Sequence, residues 1–302
     1  MTSDKNPWLS YHEGELAVQR RAGVGRGPGA MYRPAMPAGA REFLAQQQLA
    51  ILASIGSDGG LWASLRSGAP GFVTVIDEQT LRIGGYSHPE DLLTDNLAAH
   101  DQFGLLVIDL ATRSRLRVNG TAIIEPDGAI LLQTKQIYGN CQKYIQARTI
   151  VGTREGPAPG ARRSERLDAR QQSWIAGADT FFIASAHPRA GADASHRGGW
   201  PGFVRVESVS RLIFPDYRGN RMFNTLGNLE SNPRAGFLFP GFATGDALQL
   251  SGRAAVLWDD PRLVEFPGAL RLIAFDIEKI VELPEATHLR FRFADYWSDL
   301  PR

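Results

Sequence analysis

The chain has 302 residues, room for one large domain or two ordinary ones. Hydrophobic residues make up 43% and charged residues 22%, a globular composition, and Lys+Arg 33 against Asp+Glu 32 leaves a net charge of +1. That balance excludes a globally basic nucleic-acid binder, and the single cysteine, Cys141, excludes an intrachain disulfide and argues against a cysteine zinc site.

In chain order, residues 1–38 read as an irregular arm, because Gly23–Gly39 alone holds five Gly and three Pro. A first β-rich unit spans 39–151. It opens with a helical stretch, Ala40–Gln48, followed by strands at Ala50–Ile55, Gly71–Ile76 and Leu81–Gly84. A helix near Glu90–Ala99 and strands at Gly104–Ile108 and Arg115–Ile124 complete it. Residues 152–172 contain the run Gly156–Arg163, rich in Gly and Pro, and read as a linker with no regular structure through its first half. A second unit spans 173–302, with a helical stretch reaching back to Ser164–Ala176. Its strands are Thr180–Ala186, Gly202–Glu207, Arg211–Phe214, Gly236–Phe239, Ala247–Leu257 and Leu270–Leu283, with a helix at Arg221–Leu229.

The two units are copies. Ile51–Ile83 set over Phe182–Phe214 pairs Ala53-Ser54 with Ala184-Ser185, Ala63-Ser64 with Ala194-Ser195, and Arg66 with Arg197. Pro70-Gly71-Phe72-Val73 falls on Pro201-Gly202-Phe203-Val204. After one inserted residue, Asn96 meets Asn228, Gly104 meets Gly236 and Gly120 meets Gly252. Short strands with glycine turns favour a barrel, which closes away its edges. The expected architecture is mainly β (α+β): two tandem barrels forming a pseudo-dimer within one chain. A duplicated chain can hold one well-formed site at the seam between its copies, beside Arg66 or Arg197, while the other seam loses its share.

Several signals fail. Gly25-Arg26-Gly27-Pro28-Gly29-Ala30 matches a dinucleotide fingerprint in letters, but no strand precedes it and two prolines follow. No Walker-A, H-E-x-x-H or G-x-S-x-G pattern is present, and the six histidines show no pair at helical metal spacing, so no metal is expected. Asn119-Gly120-Thr121 reads as a turn. The polar start, Met1–Ser10, predicts no secretory signal, and no uncharged apolar stretch approaches the roughly 20 residues of a membrane span. A cytoplasmic protein is expected.

Two segments carry chemistry. Ala194–Val204, read as lying between strands, sets Ser195 and Arg197 beside two glycines, a combination suited to an anion. Tyr217–Leu229 brings Arg218, Arg221, three Asn and Thr225 to a helix start, where amides and the helix dipole attract phosphate. Copy one has Tyr86–Asp91 there, with no Arg and two acids. Cys141 reads as a buried small hydrophobe, although Lys143 nearby could activate its thiol. Cys141, Lys143 and Tyr144 are candidate pocket residues. His12 and Glu15 lie on the arm.

Copy two resembles the pyridoxamine 5'-phosphate oxidase-like family of FMN-binding split barrels. The resemblance runs through Phe181–Ser185, Ala194–Val204, Leu212–Phe214, Asn224–Leu229, Asn232–Phe239 and Leu248–Ala254. The whole chain is similar to the tandem-domain subgroup, in which His12-Glu13-Gly14-Glu15 and Tyr138–Gln146 recur. The resemblance implies FMN as cofactor. It places Ser195, Arg197, Arg221, Asn224 and Thr225 near the phosphate and Gln249 against the isoalloxazine ring. The run Phe223-Asn224-Thr225 departs from the Ser-Arg-Lys expected at the helix start and leaves Arg221 as the principal charge partner. The implied activity is FMN-dependent oxidoreduction of an unidentified small molecule or NAD(P)H, with an electron-transfer protein as a further partner. A homodimer is compatible with this reading; nucleic acid and membrane are not expected. The alternatives are a non-enzymatic flavin or haem carrier, with His12, His88, His100 or His196 as axial ligand, a deazaflavin-dependent reductase, and a cofactor-free structural pseudo-dimer.

Overall fold

A computed structural model of the chain describes residues 6, 8–24, 31–139, 141–154 and 156–301. The glycine-rich stretch 25–30 lies outside the described residues.

The arm carries α1 (Glu13–Arg21). Copy one consists of α2 (Ala40–Ala45), β1 (Leu49–Ile55), β2 (Leu61–Ser67), β3 (Val73–Val75), β4 (Thr80–Ile83), α3 (Leu93–Ala99), β5 (Gln102–Asp109), β6 (Ser114–Ile124) and β7 (Ile130–Gly139). After β8 (Ala147–Thr153) and β9 (Arg162–Ser164), copy two follows. It has α4 (Ala169–Gly177), β10 (Thr180–His187), β11 (Gly191–Gly198), β12 (Arg205–Ser208), β13 (Arg211–Asp216), α5 (Asn224–Ser231), β14 (Arg234–Pro240), β15 (Ala247–Leu257), β16 (Arg271–Leu283) and β17 (Leu289–Asp295).

The repeat read in the sequence is a repeat of topology. The first sheet runs β2-β1-β5-β6-β7-β4-β3 and the second β11-β10-β14-β15-β16-β13-β12, so each strand has a mate in the other copy. Both sheets are antiparallel throughout. The equivalent long strands even break register at the same place, between Asn119 and Gly120 in β6 and between Ser251 and Gly252 in β15. A β-carbon on Gly120 would lie 2.0 Å from the Gln133 carbonyl oxygen, and one on Gly252 2.0 Å from that of Asp276. Glycine is therefore required at both bulges.

Strand alternation builds three cores. Ala50 and Leu52 face the interior of copy one, while Ile51 and Ala53 face copy two. In copy two, Phe181 and Ile183 point into an aromatic interior with Phe214, Phe237 and Phe275, while Phe182 and Ala184 meet copy one. Strands buried on both faces read as unbroken apolar runs. The contact between copies is close and two-fold in character. A β-carbon on Gly104 would lie 2.4 Å from the Cα of Asp193, and one on Gly236 2.8 Å from the Cα of Trp62. Trp62 and Asp193 are themselves paired positions of the repeat.

Four expectations are corrected. Residues 61–67 and 191–198 form edge strands, so Ser195 and Arg197 sit on β11 and not in a loop. The segment read as a linker contributes strand residues to both ends of the molecule: β8 pairs with β17, and β9 pairs with β16. The arm carries a helix, α1, nucleated by a capping box in which the Glu15 amide donates to His12 Nδ1 and the His12 amide donates to the Glu15 carboxylate. Strand β7, unread in the sequence, joins β6 to β4. Among the described residues no helix is long and apolar enough to cross a membrane.

Candidate functional site

A cavity of about 410 Å³ opens at one seam between the copies. Copy two supplies β11, the β13–α5 connection and the first turn of α5. Copy one supplies β6 and the segment Cys141–Tyr144. Arg197, Arg218, Arg221 and Arg271 line it from copy two, and Arg115, Arg117 and Lys143 from copy one. Asp216 is the single carboxylate residue lining it among the described residues.

Ser195 and Arg197 share a face of β11 because they are two apart on a strand. The Thr225 hydroxyl, on the first turn of α5, donates to Ser195 Oγ at 3.0 Å. Asp216 ends β13, directly opposite Arg271 on β16. Its buried carboxylate takes Arg197 Nη1 at 2.9 Å on one oxygen and lies 3.5 Å from Arg271 Nη1 on the other. The Arg271 guanidinium is also held over the Phe223 and Trp258 rings, at 5.1 and 4.6 Å. Both arginines keep a buried Nε–H with no protein acceptor. Arg221 and Phe223 adopt left-handed backbone, φ 61° and 62°, which costs a non-glycine residue free energy and turns the chain sharply into α5. The N-cap, Phe223, offers no side-chain acceptor to the first-turn amides. An uncapped helix start beside desolvated arginines and two hydroxyls is a donor set with the chemistry to receive an anion.

Asn224 lines the cavity, but its amide is committed to the arm. It donates to Glu15 Oε1 at 2.6 Å and Tyr32 Oη at 2.5 Å, and the Tyr32 hydroxyl donates to Glu15 Oε1 at 2.6 Å. Burial pushes the Glu15 carboxyl up to about 7. Cys141 is exposed, correcting the buried reading; its carbonyl accepts from Arg115 Nη2 at 2.7 Å. Lys143 is exposed at the rim. The Tyr144 hydroxyl donates to the Arg218 carbonyl at 3.0 Å, across the cavity mouth. The sequence reading missed Arg115, Arg117, Asp216 and Arg271, which no local motif marks.

Gln249 is the clearest misplacement. It is fully buried on β15, the mate of β6, so it faces the opposite seam. There its amide donates to Asp91 Oδ2 at 2.9 Å, and the Ser64 hydroxyl donates to Asp91 Oδ1 at 2.6 Å. Ser64 and Arg66 are the mates of Ser195 and Arg197. Arg66 is turned onto the carbonyls of Ile83 and Gly128, at 3.2 and 2.9 Å. At that seam an internal carboxyl, its pKa raised by burial, meets Ser64 and Gln249, the mates of Ser195 and Arg117, which line the cavity at the other.

His12, Glu13 and His187 also converge, with the two rings stacked 4.0 Å apart. His187 Nδ1 accepts the amides of Arg189 and Ala190, at 3.2 and 3.1 Å, so its Nε2 carries the proton, which it donates to Glu13 at 3.1 Å. His12 Nδ1 accepts the Glu15 amide, and its Nε2 donates to Asn228 at 3.1 Å. Neither ring keeps a lone pair for a metal, so the cluster fastens the arm to copy two.

The family model described as pyridoxamine 5'-phosphate oxidase matches the chain twice, over residues 36–171 and 167–297. The chain belongs to that family and is a tandem pair of its split-barrel domains. No curated protein matches the chain. Among solved structures it is similar to a putative pyridoxamine 5'-phosphate oxidase from Lactobacillus delbrueckii, at 16% identity over 39% of this chain and 94% of that one, TM-score 0.32. It is also similar to an FAD-binding protein from Mesorhizobium loti, at 15% identity over 41% and 97%, TM-score 0.29. A third is HutZ, the haem storage protein from Vibrio cholerae, at 12% identity over 39% and 95%, TM-score 0.29.

Proposed function

We propose that the cavity binds one FMN per chain and that the protein is an FMN-dependent oxidoreductase acting on a small molecule, with that molecule or NAD(P)H as electron donor. The observation that carries this reading is the pair of buried guanidinium Nε–H groups on Arg197 and Arg271, beside the Ser195–Thr225 hydroxyl pair and the uncapped start of α5. This donor set suits a phosphate dianion. The rest of the wall suits a flat ring, since Phe203, Phe223, Leu226 and Tyr217 supply apolar and aromatic surface. Bound FMN would supply reversible two-electron exchange. Arg197 and Arg271 would neutralise the phosphate, and Asp216 would hold both in place. Arg221, at the turn, would add a partly screened charge.

One observation favours a second reading, a haem carrier. His196 lines the cavity and is buried, neither ring nitrogen has a hydrogen-bond partner, and burial with Arg115 nearby keeps the ring neutral well below its usual pKa. His88 and His12 are engaged elsewhere and His100 is exposed and not among the cavity's lining residues, so His196 is the axial ligand this reading requires. The absorption spectrum of the freshly purified protein, with mass spectrometry of the released group, separates the two. Flavin bands with FMN released are expected. A Soret band lost in His196→Ala would replace the flavin reading with the haem one. A colourless protein that also fails to take up added FMN would overturn both.

A further inference from the structure

The seam opposite the cavity is closed from within. Asp91, buried just before α3, has a carboxylate that takes three donors. The Ser64 hydroxyl at 2.6 Å and the Leu93 amide at 2.8 Å donate to Oδ1, and the Gln249 side-chain amide at 2.9 Å donates to Oδ2. Each donor has a mate in the other copy. Asn96 donates to Ser54 Oγ at 3.0 Å and its mate Asn228 to Ser185 Oγ at 2.9 Å, so α3 and α5 sit alike on their sheets. Counting back from that pair sets Leu93 on Thr225 and Asp91 on Phe223. Ser64 is the mate of Ser195, and Gln249 on β15 is the mate of Arg117 on β6. Ser195, Thr225 and Arg117 all line the cavity, and so does Phe223, whose ring offers no acceptor. The same three positions therefore surround a carboxylate at one seam and face the cavity at the other. Burial raises the Asp91 pKa, the mark of a desolvation cost, and the three hydrogen bonds offset that cost. Gln249 is turned donor-first to serve this group. Its amide nitrogen reaches Asp91 and the Ala63 carbonyl, at 3.0 Å, while its own Oε1 is buried without a donor.

Going beyond the FMN reading of the cavity, we propose that the Asp91 carboxylate is an internal ligand. It fills, from the chain itself, the donor set whose mates line the cavity, and it bars the second seam to external anions. The ligand this latent site takes once the side chain is cut back is a small carboxylate. Truncation at Cβ removes one carboxyl group, and formate has that size and charge. The residue at each helix entry, Asp91 in one copy and Phe223 in the other, then decides which seam is closed and which is open.

The test is rescue of Asp91→Ala by formate in the full chain, with FMN added to saturation so that the cavity is occupied and chloride at equal ionic strength as the control. Formate is expected to raise the melting temperature of Asp91→Ala saturably and to bind at a single equivalent by calorimetry, with neither effect in the parent. Adding Ser64→Ala to Asp91→Ala should weaken formate about tenfold or more, since it removes a hydrogen bond to a charged group. A response to formate no larger than that to chloride, or equal to that of the parent, would overturn the proposal. Formate binding indifferent to Ser64 would overturn it as well, because the ion would then sit elsewhere. Should Asp91→Ala not fold on its own, it is refolded from urea with and without formate. Recovery that requires formate supports the internal ligand, and no recovery in saturating formate overturns it. A chain that takes up no FMN is tested unloaded, with the parent's response subtracted. Rescue would then leave the internal ligand standing and sink only the cofactor reading, whereas one FMN bound per chain without rescue would do the reverse.

Discussion

Asp216 stands between two guanidiniums and sets their orientation at the cavity wall. By holding Arg197 and Arg271 it pre-orients their remaining donors, so less side-chain freedom would be lost if a phosphate binds there as proposed. Arg271→Ala and Arg221→Ala are each expected to lower FMN affinity, Arg271 by about tenfold or more because its charge is desolvated and Arg221 by less because solvent screens it. Glu90→Ala should leave FMN affinity unchanged, since Glu90 is bound to Arg163 and the Ala161 amide away from the cavity. Equilibrium titration of the unloaded variants with FMN checks all three. Glu15 supplies a pH-dependent test. Burial raises its carboxyl from the ordinary value of 4.5 to about 7, so folding favours the neutral form. Its contribution is complete below about 4.5 and is lost as pH rises through about 7. His12, which burial holds near 4, runs the other way: its contribution is lost as pH falls from 6.5 toward 4. Comparison of Glu15→Gln with the parent largely cancels the His12 effect. From pH 5 to pH 8 the variant should gain on the parent by about 2 kcal/mol in urea unfolding. A difference that stays constant across that range would show that Glu15 is ionised throughout.

At the scale of elements, α1 and α5 are joined through glycine. A β-carbon on Gly227 would lie 2.6 Å from the Cα of Glu15, and one on Gly14 2.1 Å from the Gly227 carbonyl oxygen. Two helix backbones this close leave no room for a side chain on either. Gly227→Ala is expected to push α1 off α5 at a cost of about 1–3 kcal/mol, seen as a lower melting temperature. Because α5 carries Thr225 into the cavity and Asn224 reaches Glu15, the same variant should also release FMN faster in a dialysis experiment. A stable variant with unchanged FMN retention would show that α1 is only a cover. The His12-Glu13-Gly14-Glu15 run thus has a local account: a capping box, a fastening to His187 and a close-packed glycine.

At the scale of the molecule, the two seams related by the duplication differ among the described residues: one opens as the cavity of about 410 Å³, and at the other buried Asp91 is hydrogen-bonded to Ser64 and Gln249. Mated strands face opposite seams, and the mated residues have diverged: Arg117 against Gln249, Arg197 free to face the cavity against Arg66 bound to carbonyls, and an anion-attracting helix start against buried Asp91. FMN should therefore bind at one per chain, measured as flavin released against protein concentration. A ratio of two would mean that the Asp91 seam opens to admit a second cofactor.

The fold was legible because the repeat kept glycines where backbones touch. Gly104 with Gly236 and Gly120 with Gly252 persist for steric reasons, and apolar alternation marked most of the strands. Ser195, Arg197, Arg221 and Thr225 were also readable, since they cluster in two short segments that meet across one strand and one helix start. Strands β2 and β11 were not, because Ser, Arg and Gly at a buried seam look like a loop. Arg115, Asp216 and Arg271 were beyond reach for another reason. They come from β6, β13 and β16, and only register and the crossing of the two copies bring them together. The seam Gln249 faces was likewise a matter of pairing: local sequence sets which side of a strand a residue occupies, and the two-fold arrangement of the copies sets what that side meets.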